Sequence, residues 1–482
     1  MRQSFALLML VLTSLVGGCA KFSADGGMDG VARDVGQEAG ADLGRSVVKI
    51  ASVEQAQQAR ERVSALLTEP LSAEASVQVA LLNNRDLQAA YNDLGISEAD
   101  YVQASLPPNP GLSLMRVSGS GVADFQLGLV QNILNLFTLP RRSAIAAEHF
   151  EHARHQAVFT TLRLAVDTRR AQIRAVAAQQ QVGFLEQARA TVDQAVRLNA
   201  QLGEAGGGDQ LDQAELAAFY AELSAKVARA RLTARREREA LTRLMGLWGG
   251  DASFKLPAEL LPLPREPDTM ATVEVDAINH RVDLIMARHD VAALAKSLSL
   301  TEATRYVSLL QLSGIVNNEA ANPLTTSNAD ITRGGFQIDL SLPIFDTGEA
   351  RTRLAREQYM RSLNLLTAKA VNARSEARIA YEVYRGTYDI AKFYRDRVLP
   401  LRGIVSREIA LRYNNSVLVS ESMRVDLFKF LIDARARIDA DAAALDARRD
   451  FQLATADLQD AMSVGGAASS GAAPAASSPQ MQ

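Results

Sequence analysis

Gly335-Phe336-Gln337-Ile338-Asp339-Leu340-Ser341-Leu342-Pro343-Ile344-Phe345-Asp346-Thr347-Gly348 changes structural period within a few residues. Phe336, Ile338, Leu340 and Leu342 alternate with Gln337, Asp339 and Ser341, the period-2 pattern of a strand with one apolar and one wet face. Pro343 and Gly348 then stop the strand. From Glu349 the chain carries strong helix formers and no proline before Pro400, which predicts a helix of about 65 residues reaching Tyr413. Strand and very long helix form one continuous path.

The same join occurs earlier in the chain. Phe125-Gln126-Leu127-Gly128-Leu129 matches Phe336-Gln337-Ile338-Asp339-Leu340, and it leads through Pro140 into a helix expected from Arg141 to about Leu202. Upstream, Ala80-Leu81-Leu82-Asn83-Asn84-Arg85-Asp86-Leu87 answers Ala277-Ile278-Asn279-His280-Arg281-Val282-Asp283-Leu284. The chain is an internal duplication with a period of roughly 200 residues, far longer than a solenoid repeat. Each half predicts helix, strand, strand, long helix, turn, helix.

Composition agrees with a mainly helical protein. The 482 residues are 48% hydrophobic but only 5% aromatic, with a net charge of -3. That balance fits helices better than an all-β or catalytic α/β domain. A pI near 6.1 gives no electrostatic footprint for nucleic acid. Met1-Arg2 followed by the apolar run Phe5 to Val16 reads as a signal peptide over residues 1–18, too short for the ~20 residues that span a bilayer. It ends in Leu15-Val16-Gly17-Gly18-Cys19, which looks like a bacterial lipobox; Cys19, the only cysteine, would then be acylated, the alternative being an ordinary signal peptide with an incidental cysteine.

The rest of the chain divides by breakers. Residues 19–70 read as a lipid-anchored, polar, weakly helical tether. The first repeat spans 71–256: a helix from Ser72 to Ser105, breakers at Pro107-Pro108-Asn109-Pro110, and strands near Leu112–Ser118 and Asp124–Ile133. Its long helix carries Phe150, Ala157, Leu164, Ala171, Ala178, Leu185 and Val192 at seven-residue spacing, a coiled-coil seam. The return helix is expected over Leu211–Leu247, with Trp248 near its end in the core. A Pro-rich connector, 257–268, leads to the second repeat, 269–463, with a helix Thr269–Thr304, a strand near Val307–Val316, and a return helix Met423–Met462. Residues 464–482 are a Gly/Ala/Ser/Pro tail expected to be disordered.

At 1.5 Å per residue the long helices reach about 90–100 Å and the short ones about 50–60 Å, so two short helices laid end to end match one long one. This predicts a rod of laterally packed helices with four strands at one end. Four strands with an apolar face cannot close a membrane barrel, and open edges are not tolerated in lipid. Membrane barrels begin at about eight strands, so several copies must combine.

With these features in hand the chain resembles the TolC-type outer-membrane efflux proteins, in their lipidated branch. The resemblance is carried by Ala80 to Leu87 with Pro108-Asn109-Pro110, by Arg281-Val282-Asp283-Leu284, and by Leu342 to Gly348. It implies a mainly α fold with a small β part: duplicated coiled-coil helices forming a periplasmic α-barrel, and four strands per chain completing a 12-stranded outer-membrane β-barrel in a homotrimer. It further implies a Gram-negative outer-membrane location, a periplasmic adaptor and an inner-membrane pump as partners, no cofactor, and no catalysis. The expected role is the exit duct of a tripartite efflux or type I secretion system, opened when an adaptor docks. The competing reading is a lipid-tethered, non-conducting periplasmic coiled-coil adaptor or scaffold, which has no need of a duplication or of amphipathic strands.

Adaptor docking in the family uses the helix-turn-helix tips. Here the tips fall at Gly203, Gly206, Gly207 and Gly208, and at Asn414, Asn415 and Ser416, where relatives often place Val-Gly. Glycine and asparagine suit such turns because both tolerate positive φ. Some relatives carry two acidic residues after the second turn; the matching positions are Asp426 and Lys429. A gate is accordingly expected among Asp209, Asp212, Glu421, Arg424, Asp426 and Lys429, or these are solvated helix ends.

His149, His152 and His155 are interleaved with Glu148 and Glu151. Three side chains at i, i+3 and i+6 fan over about 120° and do not readily chelate one ion, which favours a solvated helix face; the alternative is a polar ring lining the duct. Arg141-Arg142 is read as an interfacial, snorkelling pair. Gly206 to Gly208 lack the Lys-Ser/Thr of a phosphate loop, and no zincin or nucleophile-elbow motif is present.

Overall fold

The computed structural model describes residues 22–119, 122–204, 210–307, 309–319, 331–341, 343–416 and 427–465. Helices run over Met28–Ala39 (α1), Ala41–Gly44 (α2), Val53–Leu66 (α3), Ala73–Asn83 (α4), Arg85–Ser105 (α5), Ile133–Glu204 (α6), Gln210–Leu244 (α7), Val273–His280 (α8), Val282–Ala303 (α9), Glu349–Phe393 (α10), Leu399–Ser416 (α11) and Leu427–Gln459 (α12). Strands are Gly111–Gly119 (β1), Val122–Asn132 (β2), Leu310–Glu319 (β3) and Ile331–Leu340 (β4). The described parts of residues 1–30, 91–157 and 284–370 form one compact unit, and those of 31–90, 158–283 and 371–482 form another.

The first unit holds the sheet, in the order β1-β2-β3-β4 and antiparallel throughout. The two hairpins come from the two halves of the duplication and meet in the β2–β3 ladder. β4 starts at Ile331, five residues before the alternation becomes visible at Phe336, because Gly334 and Gly335 lie inside the strand opposite Val316 and Ile315. β3 likewise sits slightly later than expected, at Leu310–Glu319.

In the second unit three apolar clusters run along the helices. Leu71, Val79, Leu82, Ile173, Val176, Leu241 and Met245 form one, joining α4, α6 and α7. Leu185, Leu216, Phe219, Leu223, Leu431 and Ile438 join α6, α7 and α12. Ala377, Tyr384, Tyr388, Phe451, Ala454 and Leu458 join α10 to α12, with Ala277 of α8 beside them. The seven-residue seam is borne out: Ala157, Ala171, Ala178 and Leu185 are buried. Alanine at these positions lets the helices approach closely.

Several sequence expectations need correction. The helix expected over Ser72–Ser105 breaks at Asn84, and the one over Thr269–Thr304 breaks at Arg281, the equivalent position of the duplication. The first break is made by distant partners. Asn83 Nδ2 donates to the carbonyls of Met245 (3.1 Å) and Gly246 (2.7 Å), and Asn84 Nδ2 donates to Leu244 (2.9 Å). These are orphan carbonyls at the C-terminus of α7, and Asn84 Oδ1 in turn accepts the Leu87 N–H that opens α5. Gly246 makes the contact feasible: its φ of 66° is left-handed, and a Cβ there would lie 3.0 Å from the Asn83 carbonyl oxygen. Gly246→Ala is therefore expected to lower unfolding stability by about 1–2 kcal/mol, read as a fall in the denaturation midpoint of the solubilised protein.

The long helices also differ from expectation. α6 starts at Ile133 and passes through Pro140, because the Asn132 side chain accepts the Asn135 N–H (2.8 Å) and caps the helix well upstream of the proline. After α10, Tyr394–Val398 form a π-turn that leads into α11. Pro400 explains the widening: it has no N–H to give, and its ring crowds the preceding turn. α11 includes Asn414, Asn415 and Ser416, which are therefore helical rather than the turn itself. The segment expected to be a plain tether is folded: Val31, Val35, Leu43 and Val63 are buried. Ser23 donates through its backbone N–H and Oγ to Glu98 (2.6 and 2.5 Å). Trp248, expected in the core, is 84% exposed, beyond the end of α7 between two positive-φ glycines, Gly246 and Gly249.

Candidate functional site

Register decides what each face of the sheet presents. Leu112 pairs with Leu129 and Leu114 with Leu127; Leu127 pairs with Val316. Leu312 pairs with Ile338, Leu310 with Leu340, and Gly314 with Phe336. Side chains alternate across a strand, so these residues share one face. The other face carries Ser113, Gln126, Asn317, Ser313, Gln337, Gln311, Asp339 and Arg333, with Met115, Val117 and Ile315 among them. On the apolar face Leu112, Leu114, Phe125, Leu127, Leu129, Phe336, Ile338 and Leu340 are all exposed, Phe336 by 79%. Leu342, the last member of the predicted alternation, lies outside the described residues.

A solvent-exposed apolar face of this extent costs free energy unless something covers it. The strands contain 9, 11, 10 and 10 residues, the length that a tilted strand of about 9–11 residues needs to cross a hydrocarbon core. Among the described residues, β1 and β4 each pair on one side only, so two edges are open. At the end of the sheet where β2 and β4 stop, Phe137, Tyr306, Ile344 and Phe345 are exposed, and the Arg305 guanidinium lies 5.2 Å from the Tyr306 ring centroid. Aromatic and arginine side chains of this kind favour a water–hydrocarbon boundary. Arg305, Tyr306, Ile344 and Phe345 were hidden in sequence because they sit in turns and bends, outside any periodic run, whereas Phe137 lies in the first turns of α6, ahead of the expected helix start.

A second unpartnered apolar stripe follows the other unit. Ile379, Val383, Ile390, Phe393, Leu401, Ile404 and Leu411 on α10 and α11 are exposed and recur at spacings of three, four, seven and eight. That is a helix-packing seam with no helix against it among the described residues.

Of the gate candidates, Asp212 and Lys429 are described, at the starts of α7 and α12; Asp209, Glu421, Arg424 and Asp426 lie outside the described residues, as do Cys19, Gly206, Gly207 and Gly208. Gly203 belongs to the last turn of α6. Charge contacts among the tip-bearing helices were not anticipated; Lys226–Asp439 (3.1 Å) and Glu222–Arg435 (3.1 Å) join α7 to α12, and Glu186–Arg231 joins α6 to α7. Exposed pairs of this kind contribute about 0–1 kcal/mol each, so they can separate easily.

The histidines are more organised than a solvated face. His289 of α9, absent from the sequence-based cluster, lies against α6: its Nδ1 is 2.7 Å from Glu148 Oε2, and Lys296 Nζ donates to Glu148 Oε1 at 2.6 Å. The Lys296 and His289 contacts hold the Glu148 carboxyl below the usual range. His155 stacks on His289 with ring centroids 5.4 Å apart. Burial, then the Arg154 charge, pushes His155 down to about 4, so its imidazole is neutral at neutral pH. His152 faces Asp290 at 3.5 Å, while burial lowers its pKa. His149 is exposed. Glu151, His155 and His289 each present one donor atom, all within 4.8 Å of one another. The i, i+4 spacing of Glu151 and His155 was a readable signal; the arrival of His289 from the other half was not.

No protein-family model matches the sequence, and neither does any curated protein. Solved structures do match. A membrane protein from Pseudomonas aeruginosa superposes with a TM-score of 0.69 at 19% identity, over 81% of this chain and 92% of that one. The outer-membrane channel OprN gives 0.66 at 18% identity, over 86% and 92%. The open state of the Neisseria gonorrhoeae MtrE outer membrane channel gives 0.65 at 18% identity, over 82% and 91%. The chain has the TolC-type outer-membrane channel fold. Within the TolC-type fold the doubled plan acquires a purpose: each half supplies one hairpin, and the β2–β3 ladder joins them into one sheet. Among the described residues no helix is long and apolar enough to cross a membrane, so hydropathy of the helices gives no hint of this architecture.

Proposed function

We propose that the chain is the outer-membrane exit duct of a tripartite efflux or type I secretion system, a passive conduit built by three copies. The sheet carries this reading. It has an exposed apolar face, a mostly polar opposite face, spanning length and, among the described residues, two open edges. Three such sheets joined edge to edge would give about 12 strands, close every edge, turn the apolar face to lipid and line a lumen with the polar one. The exposed seam from Ile379 to Leu411 supports the same assembly, because a neighbouring copy would cover it. Likeness to solved outer-membrane channels adds a precedent for the fold in that location.

In this reading Cys19 carries the lipid anchor and the α6–α7 and α11–α12 tips extend into the periplasm. An adaptor, itself coupled to an inner-membrane pump, docks at the tips around Gly203, Gly206 to Gly208 and Asn414 to Ser416. The closed tip is held by side-chain packing and by charge contacts among Asp209, Asp212, Glu421, Arg424, Asp426 and Lys429. Adaptor binding opens it by favouring the splayed state.

Conductance in planar bilayers, with the mass of the detergent-extracted protein, tests the proposal. The expected result is a trimer with small, flickering conductance that grows when Arg424 and Asp426 are both neutralised. A monomer or dimer that never conducts would replace it with the non-conducting scaffold.

A further inference from the structure

We infer that Glu151, His155 and His289 form a binding site for a divalent transition-metal ion of the zinc class, pinning α6 to α9. The inference does not depend on the channel reading. Three donors within 4.8 Å of one another, two imidazoles and one carboxylate, are the set that borderline metals select, whereas calcium and magnesium require oxygen ligands throughout. Donors around a tetrahedral zinc, bonded at about 2.0–2.2 Å, lie about 3.3–3.5 Å apart, so side-chain rotations of about 1–1.5 Å complete the geometry. Glu151 and His155 stand one helical turn apart on α6, and His289 faces them from α9.

The tautomers are set for coordination. His289 Nδ1–H donates to Glu148 at 2.7 Å, which leaves the lone pair on Nε2; Lys296 fixes Glu148 in turn. A metal-binding histidine characteristically gives its other ring N–H to a carboxylate in this way. His155 Nε2 lies 3.3 Å from Arg154 Nη2. Arginine only donates, so that nitrogen also carries a lone pair. The same guanidinium pairs with Glu151 at 2.9 Å. Arg154 thus occupies, as a fixed cation on two of the three ligands, the place a metal cation would take. It is a competitor that must swing out on loading. The fourth coordination position is left to water.

The test uses the full chain in detergent, stripped with a chelator and titrated with Zn2+ against a chromophoric competitor. The expected result is one tight site per chain that is lost in Glu151→Gln, His155→Ala and His289→Ala. Glu148→Gln should weaken it by about 10–100-fold, as loss of an outer-shell partner does. Arg154→Gln should tighten it. His280→Ala, whose ring pairs with Glu38 at 3.4 Å elsewhere, should leave it unchanged. Less than one equivalent of zinc on the unaltered chain, or affinity unchanged in His155→Ala and His289→Ala, overturns the site. Co2+ on the unaltered chain gives a reading independent of how variants fold: intense visible bands of a four-coordinate nitrogen-containing site support it, and the weak spectrum of an all-oxygen site refutes it.

Discussion

Arg281→Ala is expected to destabilise the folded chain by about 3–5 kcal/mol, the cost of removing one partner from a buried ion pair. The Arg281 side chain is 2% exposed and that of Asp283 6%. The pair is a fork: Nε and Nη2 each donate to one Asp283 oxygen at 3.1 Å, while Nη1 reaches Glu376 Oε2 of α10 at 2.7 Å. These acidic partners raise the guanidinium pKa against the burial that opposes it, so the group stays charged. Gly465, at φ 79°, leaves room for the fork, since a Cβ there would overlap both Arg281 and Asp283. The arrangement mirrors the first half, where Asn83 and Asn84 hold the end of α7 beside Gly246. Alanine would strip the Asp283 carboxylate of its guanidinium partner while leaving it out of water. Arg281→Lys keeps the charge but not the fork, and should fall between alanine and the native chain. The joint change Arg281→Met with Asp283→Leu should lose less than Arg281→Ala alone, because no charge remains buried. Chemical denaturation followed by circular dichroism checks all three. A loss below about 1 kcal/mol for Arg281→Ala would mean that the pair is hydrated and behaves as a surface bridge.

Arg281 also marks where sequence reading stops. Features whose signal is local were legible: the alternation at Phe336, Ile338 and Leu340 lies on one exposed face, and the seven-residue seam through Ala157, Ala171 and Leu185 is buried. Period alone fixes both, because a side chain's direction follows from its position along a strand or helix. The helix breaks at Asn84 and Arg281 depend on partners far away in sequence; Asn84 and Leu244 are 160 residues apart. Local propensity favours a continuous helix through either site. His289 joins Glu148 across 141 residues, so a cluster read from α6 alone lacked His289 and included His149 and His152, which lie outside the Glu151, His155 and His289 group. Trp248 misled because aromatic size suggests burial, while two flanking left-handed glycines carry the chain outward. The folded segment from Met28 to Leu66 was hidden by its polarity: only a few side chains, Val31, Val35 and Val63 among them, anchor it.

On the proposed exit-duct reading Ile338→Arg is expected to cost insertion free energy, at most the about 2–4 kcal/mol of a lipid-facing charge at mid-bilayer. Ile338 is near the middle of the apolar stretch of β4, between Phe336 and Leu340 on the same face and opposite Leu312. Arginine there would hold a guanidinium against acyl chains with no acidic partner on that face: the nearest strand carboxylate, Asp339, points the other way and accepts from Gln337 Nε2 at 2.8 Å. Gln337→Arg is the matched control. It adds the same charge one residue away, but on the polar face, where Asp339 and water would solvate it. The measurement is the fraction of each variant that resists extraction from outer membranes and migrates as the proposed trimer. In the proposed three-copy barrel every copy would carry the change, so three charges would enter one barrel and assembly would magnify the difference. A defect in Ile338→Arg with normal insertion of Gln337→Arg would assign the leucine-rich face to lipid and the other to the lumen. Equal insertion of both would leave the apolar face without a membrane, and equal failure of both would locate the constraint in β4 pairing itself, since only a face-dependent cost distinguishes lipid from protein as the solvent of this sheet.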